Sequence, residues 1–308
     1  MKVLVTGAAG FIGRYLVPEL AERGHAVIAT DLFVPKDVAS SQKVIWHPLD
    51  VSRSEPVYKM MLNERPDAVI HLVSWLAGPC EADPLRGWEI NFLSTQYLLD
   101  AGIAAGLKRF VFSSSISVFG KGLPEPVADN AVKEPVTMYG QTKLACEHML
   151  RWYKNKHGIE VGAVRFPWVY GPGRETGITA MYSSKLLDAL ARKEALHISS
   201  PEEKGDWLYV KDAVKALLLV LESSAIPRIG YNIMSGLYSI REAMEVAKKV
   251  CPEAVITYSD NAPPSDNPYP LSYDDSLARR DLGWKPDYSL EAGFRDHIAT
   301  MRGLPTAQ

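Results

Sequence analysis

Three polar residues near the middle of the chain have the types and spacing needed to transfer a proton. Tyr139 and Lys143 lie four residues apart in a predicted helix over residues 136–157, so their side chains share one face. A phenol ordinarily has a pKa of about 10, and a neighbouring ammonium favours its ionised form. A run of three serines, Ser113-Ser114-Ser115, follows a predicted strand, where one hydroxyl can position a reacting oxygen. Tyr139 and Lys143 with one of these serines therefore predict proton exchange with a hydroxyl or carbonyl group.

A glycine-rich turn near the N-terminus predicts a binding site for phosphates. Gly7, Gly10 and Gly13 directly follow a predicted strand over residues 2–6 and open a predicted helix over residues 11–23. In this arrangement the first glycine makes the tight turn, the second lets the backbone approach a pyrophosphate, and the third allows close helix–strand packing. Free N–H groups at the helix N-terminus attract the anion. The position of the turn between strand and helix favours a dinucleotide site over a plain structural turn.

Asp31 predicts which dinucleotide is bound. It ends the second predicted strand and lies 18 residues past Gly13. A carboxylate there accepts hydrogen bonds from the adenosine ribose and repels a 2′-phosphate. The next residues, Leu32 and Phe33, provide no arginine to hold such a phosphate, so the sequence favours NAD over NADP. The positive nicotinamide ring would join Lys143 in favouring the phenolate, and Lys143 would also hold the nicotinamide ribose.

A parallel sheet is needed to bring these residues together. The first half of the chain alternates short β-branched runs with longer helical patterns, as parallel strands joined by crossover helices do. Because the carboxyl ends of such strands face one crevice, the turn, Asp31 and the serines would meet there. The predicted strands are residues 2–6, 25–30, 44–47, 68–72, 109–113 and 160–165, and the predicted helices are residues 11–23, 52–63, 84–105 and 136–157.

Beyond about residue 170 the alternation stops at the sequence Gly171-Pro172-Gly173. We predict a nucleotide-binding domain over residues 1–170, to which some later segments return. A smaller, mainly substrate-binding α/β region over residues 171–308 would cover the open edge of the sheet. The later predicted elements are helices at about residues 180–192, after Val210 and at 240–250, a strand near 230–234 and a loop over 261–270.

The composition narrows the class of protein. The 308 residues carry 34 Lys+Arg against 36 Asp+Glu, a formal net charge of −2. This balance gives no electrostatic reason to expect nucleic acid or an anionic membrane as a partner. We expect no spanning helix, since no segment approaches roughly 18 apolar residues, and no signal peptide. Because Cys80, Cys146 and Cys251 lie far apart without metal or disulfide spacing, we expect a reduced, cytoplasmic protein without a metal site.

Several motifs, in order, resemble those of the extended short-chain dehydrogenase/reductases, the NAD-dependent epimerase/dehydratase type. Residues 6–13 match TGxxGxxG, residues 139–143 match YxxxK, and residues 111–120 (VFSSSISVFG) resemble SSSxxVYG with Ser115 at the catalytic serine position. The resemblance implies a Rossmann-type sheet, bound NAD, transient oxidation of a secondary alcohol at a sugar-like centre, and a homodimer built on the two long helices. Later stretches that also match are residues 165–173 (RFPWVYGPG), 206–212 (DWLYVKD) and 278–286 (ARRDLGWKP).

The resemblance also assigns further residues to the cofactor. Asp50 and Val51 look like the pair that contacts adenine, and residues 71–74 (HLVS) match the end of the fourth strand. Asn91 with Thr95 fits the NxxxT pattern of the following helix. The candidate catalytic residues are Tyr139, Lys143 and Ser115. The candidate cofactor-binding residues are Gly7, Gly10, Phe11, Ile12, Gly13, Asp31, Asp50, Val51, Leu72, Val73, Asn91, Ser113, Tyr139, Lys143, Phe166 and Val169.

Departures from the family pattern bear on the substrate. The 4,6-dehydratases carry an Asp-Glu pair after the catalytic hydroxyl residue, and here Ile116 and Ser117 occupy those places, so we discount dehydration. Nucleotide-sugar epimerases hold the substrate diphosphate with two arginines. Gly205 stands where one arginine is usual, residues 263–266 (PPSD) replace the other, and Trp168 replaces an asparagine that helps bind substrate. The cations that could substitute are Lys204, Arg174 and Lys185.

The residues found in those places point to a smaller substrate. Trp75 and Trp168 follow the fourth and sixth predicted strands, where two indoles would narrow a pocket and stack on a sugar ring. Arg174 could accept a substrate carboxylate. These residues also have purely structural interpretations: the two indoles could belong to the core, and Arg174 could be a solvated surface charge. The candidate substrate-binding residues are Ser74, Trp75, Ser115, Ser117, Trp168 and Arg174.

Three functions stay open from the sequence. An NAD-dependent dehydrogenase would oxidise a secondary hydroxyl of a small, non-activated sugar, sugar acid or hydroxy acid. A nucleotide-sugar epimerase, such as a UDP-sugar 4-epimerase, would oxidise and re-reduce its substrate without net NAD turnover. A dinucleotide-sensing regulator would keep the fold without catalysis, but Tyr139, Lys143 and Ser115 argue against it. We favour the dehydrogenase because the diphosphate contacts look absent.

Overall fold

The structure, a computed structural model, describes residues 1–36, 43–259 and 269–305. Within these ranges seven strands form one parallel sheet: β1 (Lys2–Thr6), β2 (Ala26–Asp31), β3 (Val44–Pro48), β4 (Ala68–His71), β5 (Arg109–Ser115), β6 (Glu160–Phe166) and β10 (Gly230–Asn232). Their spatial order is β10-β6-β5-β4-β1-β2-β3. Strands run outwards from β1 in one direction and from β4 in the other, so the expected doubly wound, Rossmann-type α/β fold is confirmed.

The order of strands reverses between β1 and β4, which are neighbours in the sheet. Thr6, at the end of β1, is in register with Thr30 on one side and with His71 on the other. In open α/β sheets, ligands bind beyond the carboxyl ends of the strands at such a reversal. The turn after β1 and the loops after β4 and β5 therefore open on the same crevice.

Helices cover both faces of the sheet, which is why the central strands are apolar on both sides. Val3 and Val5 pack with Leu16 on one face, Leu4 packs with Leu98 on the other, and all of them are 0% exposed. The helices of the described ranges are α1 (Gly13–Glu22), α2 (Ser54–Glu64), α3 (Ala77–Ala82), α4 (Pro84–Trp88), α5 (Ser94–Ala105), α6 (Met138–His157), α7 (Ile178–Met181), α8 (Ser184–Ala191), α9 (Val210–Glu222), α10 (Ile240–Val250), α11 (Ser276–Leu282) and α12 (Leu290–Met301).

Shorter strands after β6 form two small sheets. β7 (Trp168–Tyr170), β9 (Lys204–Tyr209) and β11 (Leu237–Ser239) make one, and β8 (Leu196–Ile198) pairs with β12 (Ile256–Tyr258) in the other. β10 pairs with β6 in the main sheet, and the division of the chain at residue 170 stays a prediction. No helix within the described ranges is both long and apolar enough to cross a membrane.

Two predicted helices and one predicted strand differ from the structure. The helix expected over residues 84–105 consists of α4, a π-helical turn (Glu89–Leu93) and α5. The helix expected over residues 180–192 is divided into α7 and α8. β5 continues to Ser115, two residues further than predicted, and a 3-10 turn (Ile116–Val118) follows it. The loop expected over residues 261–270 lies mostly outside the described residues.

Candidate active site

The glycine-rich turn packs its backbone against the loop that follows β4. Gly7 has φ +69°, a left-handed conformation that favours glycine. A Cβ on Gly7 would lie 3.1 Å from the Val73 nitrogen and 3.2 Å from the Leu72 carbonyl carbon. A Cβ on Gly13 would lie 2.4 Å from the Gly7 oxygen, closer than real Cβ atoms come. The two glycines therefore let the turn lie directly against the strand ends.

The turn suits a pyrophosphate. α1 begins at Gly13, and its N-cap residue Ile12 makes no side-chain cap. The amides of Arg14 and Tyr15 donate to the Gly10 and Ile12 carbonyls, so an anion would be held by the amides that precede them. A Cβ on Gly10 would meet, of the described residues beyond its chain neighbours, only Gly7 within 4 Å. The backbone at Gly10 therefore borders open space. These residues fit the pyrophosphate of NAD, which Gly10, Phe11 and Ile12 would hold.

Asp31, at the end of β2, holds the glycine-rich turn in place. Its carboxylate accepts a hydrogen bond from the Ala9 amide at 3.0 Å and another from the Leu32 amide at 2.8 Å. The negative charge therefore lies at the edge of the crevice beside the turn. This is where the ribose of an adenosine would meet a carboxylate in a dinucleotide-binding fold.

Tyr139, near the start of α6, meets two serine hydroxyls. The hydroxyls of Ser115 and Ser74 face its phenol and favour the ionised form. Burial raises the pKa of Tyr139 to about 12, and the two serines and the charge of Arg174 only partly counter that rise. A phenolate favoured by Lys143 together with the nicotinamide ring of bound NAD⁺ stays a prediction.

Lys143 lies one helical turn further along α6 and is 1% exposed. Its Nζ donates a hydrogen bond of 2.7 Å to the Ser113 carbonyl and lies 4.6 Å from the centre of the Phe112 ring. Burial lowers the pKa of Lys143 to about 8. A buried lysine that titrates near neutral pH at the edge of a crevice is typical of functional sites.

The N-terminus of α6 is fixed so that Tyr139 meets Ser115. Thr137 caps the helix, and its hydroxyl accepts a hydrogen bond of 3.1 Å from the Gly140 amide. A Cβ on Gly140 would lie 2.2 Å from the Ser117 oxygen, so α6 packs directly on the 3-10 turn after β5. The Ser115 hydroxyl accepts from the Ser117 amide and donates to the Ser117 hydroxyl, both at 3.1 Å. Ser117 therefore orients Ser115.

Asn91, a predicted cofactor contact, braces the loop after β4. It lies in the π-helical turn and is buried. Its amide oxygen accepts from the Trp75 amide at 2.7 Å, and its amide nitrogen donates to the Trp75 carbonyl and to the Thr142 hydroxyl, both at 3.0 Å. These bonds tie the loop that carries Ser74 to α6. Because both polar atoms are engaged within the protein, we interpret Asn91 as a positioning residue.

The remaining cofactor candidates lie along the strand ends. Asp50 follows β3, and its carboxylate accepts from the Ser52 amide at 3.0 Å and from the Ser52 hydroxyl at 2.7 Å. Val51 beside it is buried, as are Phe166 at the end of β6 and Val169 in β7. The structure therefore places these candidates on the side of the sheet where the crevice opens.

Arg174, a substrate candidate, lies in the loop between β7 and α7. Its guanidinium donates to the Val169 carbonyl and, at 2.6 Å, to the Thr179 hydroxyl. The guanidinium carbon lies 5.8 Å from the centre of the Phe11 ring. Burial lowers the pKa of Arg174 to about 10, and the nearby Tyr139 acts in the opposite direction. Among the described residues, no carboxylate forms an ion pair with Arg174.

The two predicted indoles lie in different surroundings. Trp168 begins β7 and lines a small pocket together with Ile116, Asp206 and Tyr269. The backbone of Trp75 is held by Asn91, and its half-buried side chain is not among the described residues that line this pocket. The structure therefore brings Trp168, but not Trp75, to the pocket beside the 3-10 turn.

Two residues at the site were missed by sequence reasoning. His71 is fully buried, with Nδ1 2.6 Å from the Thr6 hydroxyl, and burial lowers its pKa to about 3, so the ring is neutral. Its sequence signals were its place in the 71–74 motif and in an apolar run, and both also fit a core residue. The Tyr269 hydroxyl lies 3.0 Å from the hydroxyl of Thr137, the cap of α6. Nothing in the spacing of the sequence indicates that contact.

Comparisons with known proteins cover most of the chain. The profile of the NAD dependent epimerase/dehydratase family matches residues 3–233. An uncharacterized epimerase/dehydratase of Staphylococcus haemolyticus is 26% identical over 299 residues, which span 94% of each chain.

Solved structures give the same result. The UDP-glucose 4-epimerase of Thermotoga maritima, solved with UDP-glucose, has a TM-score of 0.86 and 27% identity, covering 98% of this chain and 99% of that one. The holo L-threonine dehydrogenase of Cupriavidus necator has a TM-score of 0.86 and 28% identity, covering 98% of this chain and 100% of that one. The expected resemblance is confirmed, and the chain belongs to the NAD-dependent epimerase/dehydratase family, enzymes of the extended short-chain dehydrogenase/reductase type.

Proposed function

We propose that the protein is an NAD-dependent dehydrogenase that oxidises a secondary hydroxyl of a small hydroxy acid or sugar acid. The observation that carries the proposal is the position of Arg174. Its guanidinium lies near Tyr139 and is held there by neutral oxygens, so its charge can pair with a carboxylate. A substrate carboxylate on Arg174 would bring a neighbouring hydroxyl to Tyr139 and Ser115.

Proton transfer would run through Tyr139. When bound, NAD supplies the acceptor for the hydride. The substrate hydroxyl would insert between the phenol of Tyr139 and the hydroxyl of Ser115, which face each other across the site. A positive charge brought close to the phenol would lower its pKa from about 12, so that the phenolate can take the substrate proton. Ser115 would orient the reacting oxygen, and Ser74 would hold the phenol from a second direction.

Lys143 would serve the cofactor end of the site. An ammonium has three donors, and one of them is used by the Ser113 carbonyl at 2.7 Å. The others can bind the hydroxyls of the nicotinamide ribose. With a pKa of about 8, Lys143 is mostly charged at neutral pH, so it would also help to stabilise the phenolate of Tyr139.

A nucleotide-sugar epimerase is the second candidate. It is favoured by the structural similarity to UDP-glucose 4-epimerase, which extends over the whole of the described fold. However, Gly205 offers no charge to a diphosphate, and residues 263–266, where the second arginine was sought, lie outside the described residues. The dehydrogenase therefore remains our proposal.

The deciding experiment supplies NAD⁺ with a panel of sugar acids, hydroxy acids, free sugars and UDP-sugars. It follows NADH absorbance and product identity together. L-Threonine belongs in the panel because it carries a carboxylate and a secondary hydroxyl, and because L-threonine dehydrogenases are structurally similar. We expect stoichiometric NADH with a carboxylate-bearing substrate and none with the Tyr139→Phe variant. Conversion of a UDP-sugar without NADH accumulation would establish the epimerase instead.

We also propose a cytoplasmic homodimer built on α4, α5 and α6. Trp88 and Phe92 stack with their ring centres 4.5 Å apart, while Leu85 on α4 is 71% and Trp152 on α6 is 54% exposed. Exposed aromatic and aliphatic side chains on neighbouring helices are typical of an interface. The buried free thiols of all three cysteines support a reducing compartment. Light scattering should give the mass of a dimer, and Trp152→Glu should give a monomer.

A further inference from the structure

The indole of Trp168 contacts two other aromatic side chains. It stacks on Tyr182 with ring centres 6.1 Å apart and an interplanar angle of 22°. It also meets Trp207, with ring centres 6.4 Å apart and an interplanar angle of 56°. Trp207 is itself buried, and its indole nitrogen donates to the Tyr238 carbonyl at 3.2 Å. Such offset and tilted contacts stabilise one orientation of the ring, so Trp168 is a fixed wall of the pocket.

The same indole covers the backbone of Gly205. A Cβ on Gly205 would lie 2.3 to 2.5 Å from the Cδ2, Cε2 and Cε3 atoms of Trp168, far inside van der Waals contact. Gly205 is held in β9, where it is in register with Tyr238 of β11, and two residues later Trp207 is in register with Trp168 of β7. Any side chain at position 205 must therefore displace Trp168 from its stack on Tyr182.

Position 205 therefore cannot hold an arginine while Trp168 keeps its present orientation. The pocket that Trp168 narrows begins at Ile116, next to Ser115, and is also lined by Tyr269, whose charge would act on Tyr139. Asp206 and Lys204 line it as well, and the Asp206 carboxylate accepts hydrogen bonds of 2.9 and 3.1 Å from the Ser235 amide. Since the pocket holds one group of each sign, the aromatic wall disfavours a diphosphate by its size.

We propose that Trp168 and Gly205 together determine substrate size by excluding nucleoside diphosphates from the substrate end of the crevice. This inference deepens the proposed function and rests on it, since it takes Ser115 and Tyr139 as the reacting end. The class of substrate that remains is a small, non-nucleotide hydroxy compound. Trp168 is then the specificity-determining residue, and Gly205 is the position that permits it.

The test measures binding of UDP by titration calorimetry, with NAD⁺ present at saturation so that the dinucleotide site is filled. The proteins are the wild type, Trp168→Asn, Gly205→Arg and the double variant Trp168→Asn/Gly205→Arg. Gly78→Arg is the matched control, because a Cβ at Gly78 meets no described atom within 4 Å. We expect no measurable binding to the wild type, and binding to the double variant tighter by about tenfold or more.

Gly205→Arg alone should lower Tm and change the near-ultraviolet circular dichroism of the tryptophans, whereas Gly78→Arg should change neither. If the double variant does not fold, the Trp168→Asn variant tests the proposal by itself, because removal of the indole alone should make UDP binding tighter than in the wild type. Wild-type binding of UDP equal to that of the Trp168→Asn variant overturns the proposal. An unchanged spectrum and Tm in Gly205→Arg also overturns it.

The dehydrogenase assay separates this inference from the proposed function. Wild-type turnover of a UDP-sugar overturns the size limit, and NADH accumulating in that reaction would leave the dehydrogenase chemistry standing. Failure to form NADH with every small hydroxy acid, together with the absence of UDP binding, contradicts the proposed function and leaves the size limit supported.

Discussion

The ammonium of Lys143 lies 5.5 Å from the centre of the Tyr139 ring, while its hydrogen bond goes to the backbone at the end of β5. The two residues lie four positions apart in α6, but they are held by different neighbouring groups. The Tyr139 phenol faces the hydroxyls of Ser115 and Ser74, whereas Lys143 donates a hydrogen bond to the Ser113 carbonyl. Mutations at the two positions should consequently have different effects on proton transfer, cofactor binding and stability.

Lys143→Met should abolish most activity and weaken NAD binding, yet make the protein more stable at neutral pH. Burial lowers the pKa of Lys143 from 10.5 to about 8, a penalty of about 3 kcal/mol on the charged form. Loss of the hydrogen bond from the charged ammonium to Ser113 offsets about 2 kcal/mol of that penalty. We therefore expect a net gain of about 1 kcal/mol in the free energy of unfolding by urea at pH 7.

The sign of the pH dependence follows from the lowered pKa. Below pH 8 the folded wild type carries the full penalty of a buried ammonium, and as pH rises towards 10.5 the folded state loses its proton first, so wild-type stability increases. The advantage of Lys143→Met should shrink over that window. Lys121→Met, at an exposed position, is the matched control. A variant less stable than the wild type at pH 7 would contradict the assignment.

Tyr139→Phe should reduce kcat by about 10²- to 10⁴-fold, the usual contribution of a positioned acid or base. The change removes one oxygen and leaves the ring, so NAD affinity should stay close to that of the wild type. Stopped-flow rates and equilibrium dialysis of NAD⁺ measure the two effects. A variant that keeps a near-normal rate would rule out proton transfer through this phenol.

Asp31→Ala should weaken the discrimination against NADP by about tenfold or more, because the charge that repels a 2′-phosphate is lost. Asp31 also accepts a hydrogen bond from the Ala9 amide at 3.0 Å. Asp31→Asn is therefore measured beside Asp31→Ala, because asparagine keeps an acceptor and removes only the charge. The ratio of kcat/KM for the two cofactors is the measurement. If Asp31→Asn keeps the wild-type ratio, the preference does not come from this carboxylate.

Arg174→Gln should raise KM for a carboxylate-bearing substrate by about 10- to 100-fold, the value of a charge-assisted hydrogen bond. The KM of Arg174→Lys should lie between those of the wild type and Arg174→Gln, because lysine keeps the charge but lacks the planar guanidinium. The amide of the same substrate is the control, since its KM should change little in either variant. Equal losses for acid and amide would mean that Arg174 only supports the loop between β7 and α7.

The parts of the site that sequence reasoning predicted are those with local signals. Gly7 and Gly13 indicate a turn between strand and helix, and the four-residue spacing of Tyr139 and Lys143 places both on one face of a helix. The alternation of apolar runs also predicted the doubly wound sheet. These patterns depend on residues within a few positions of each other, so one sequence is enough to recognise them.

The relationships that could not be predicted join distant parts of the chain. Trp168 covers Gly205 because β7 and β9 pair with Trp168 opposite Trp207, and the register of two strands so far apart in the chain leaves no pattern in the sequence. The contact of Tyr269 with the cap of α6 depends on how the later chain folds back. The raised pKa of Tyr139 follows from burial, which spacing does not reveal.

The π-helical turn at Glu89–Leu93 has a consequence for the geometry of the crevice. A π turn closes its hydrogen bonds five residues apart and therefore contains one residue more than an α turn. Deleting a single residue there would restore a regular helix and rotate α4 against α5 by roughly 100°. Asn91 would then turn away from Trp75 and Thr142. The additional residue therefore sets the rotation of α4 relative to α5, and its effect on the enzyme comes from the backbone and not from its side chain.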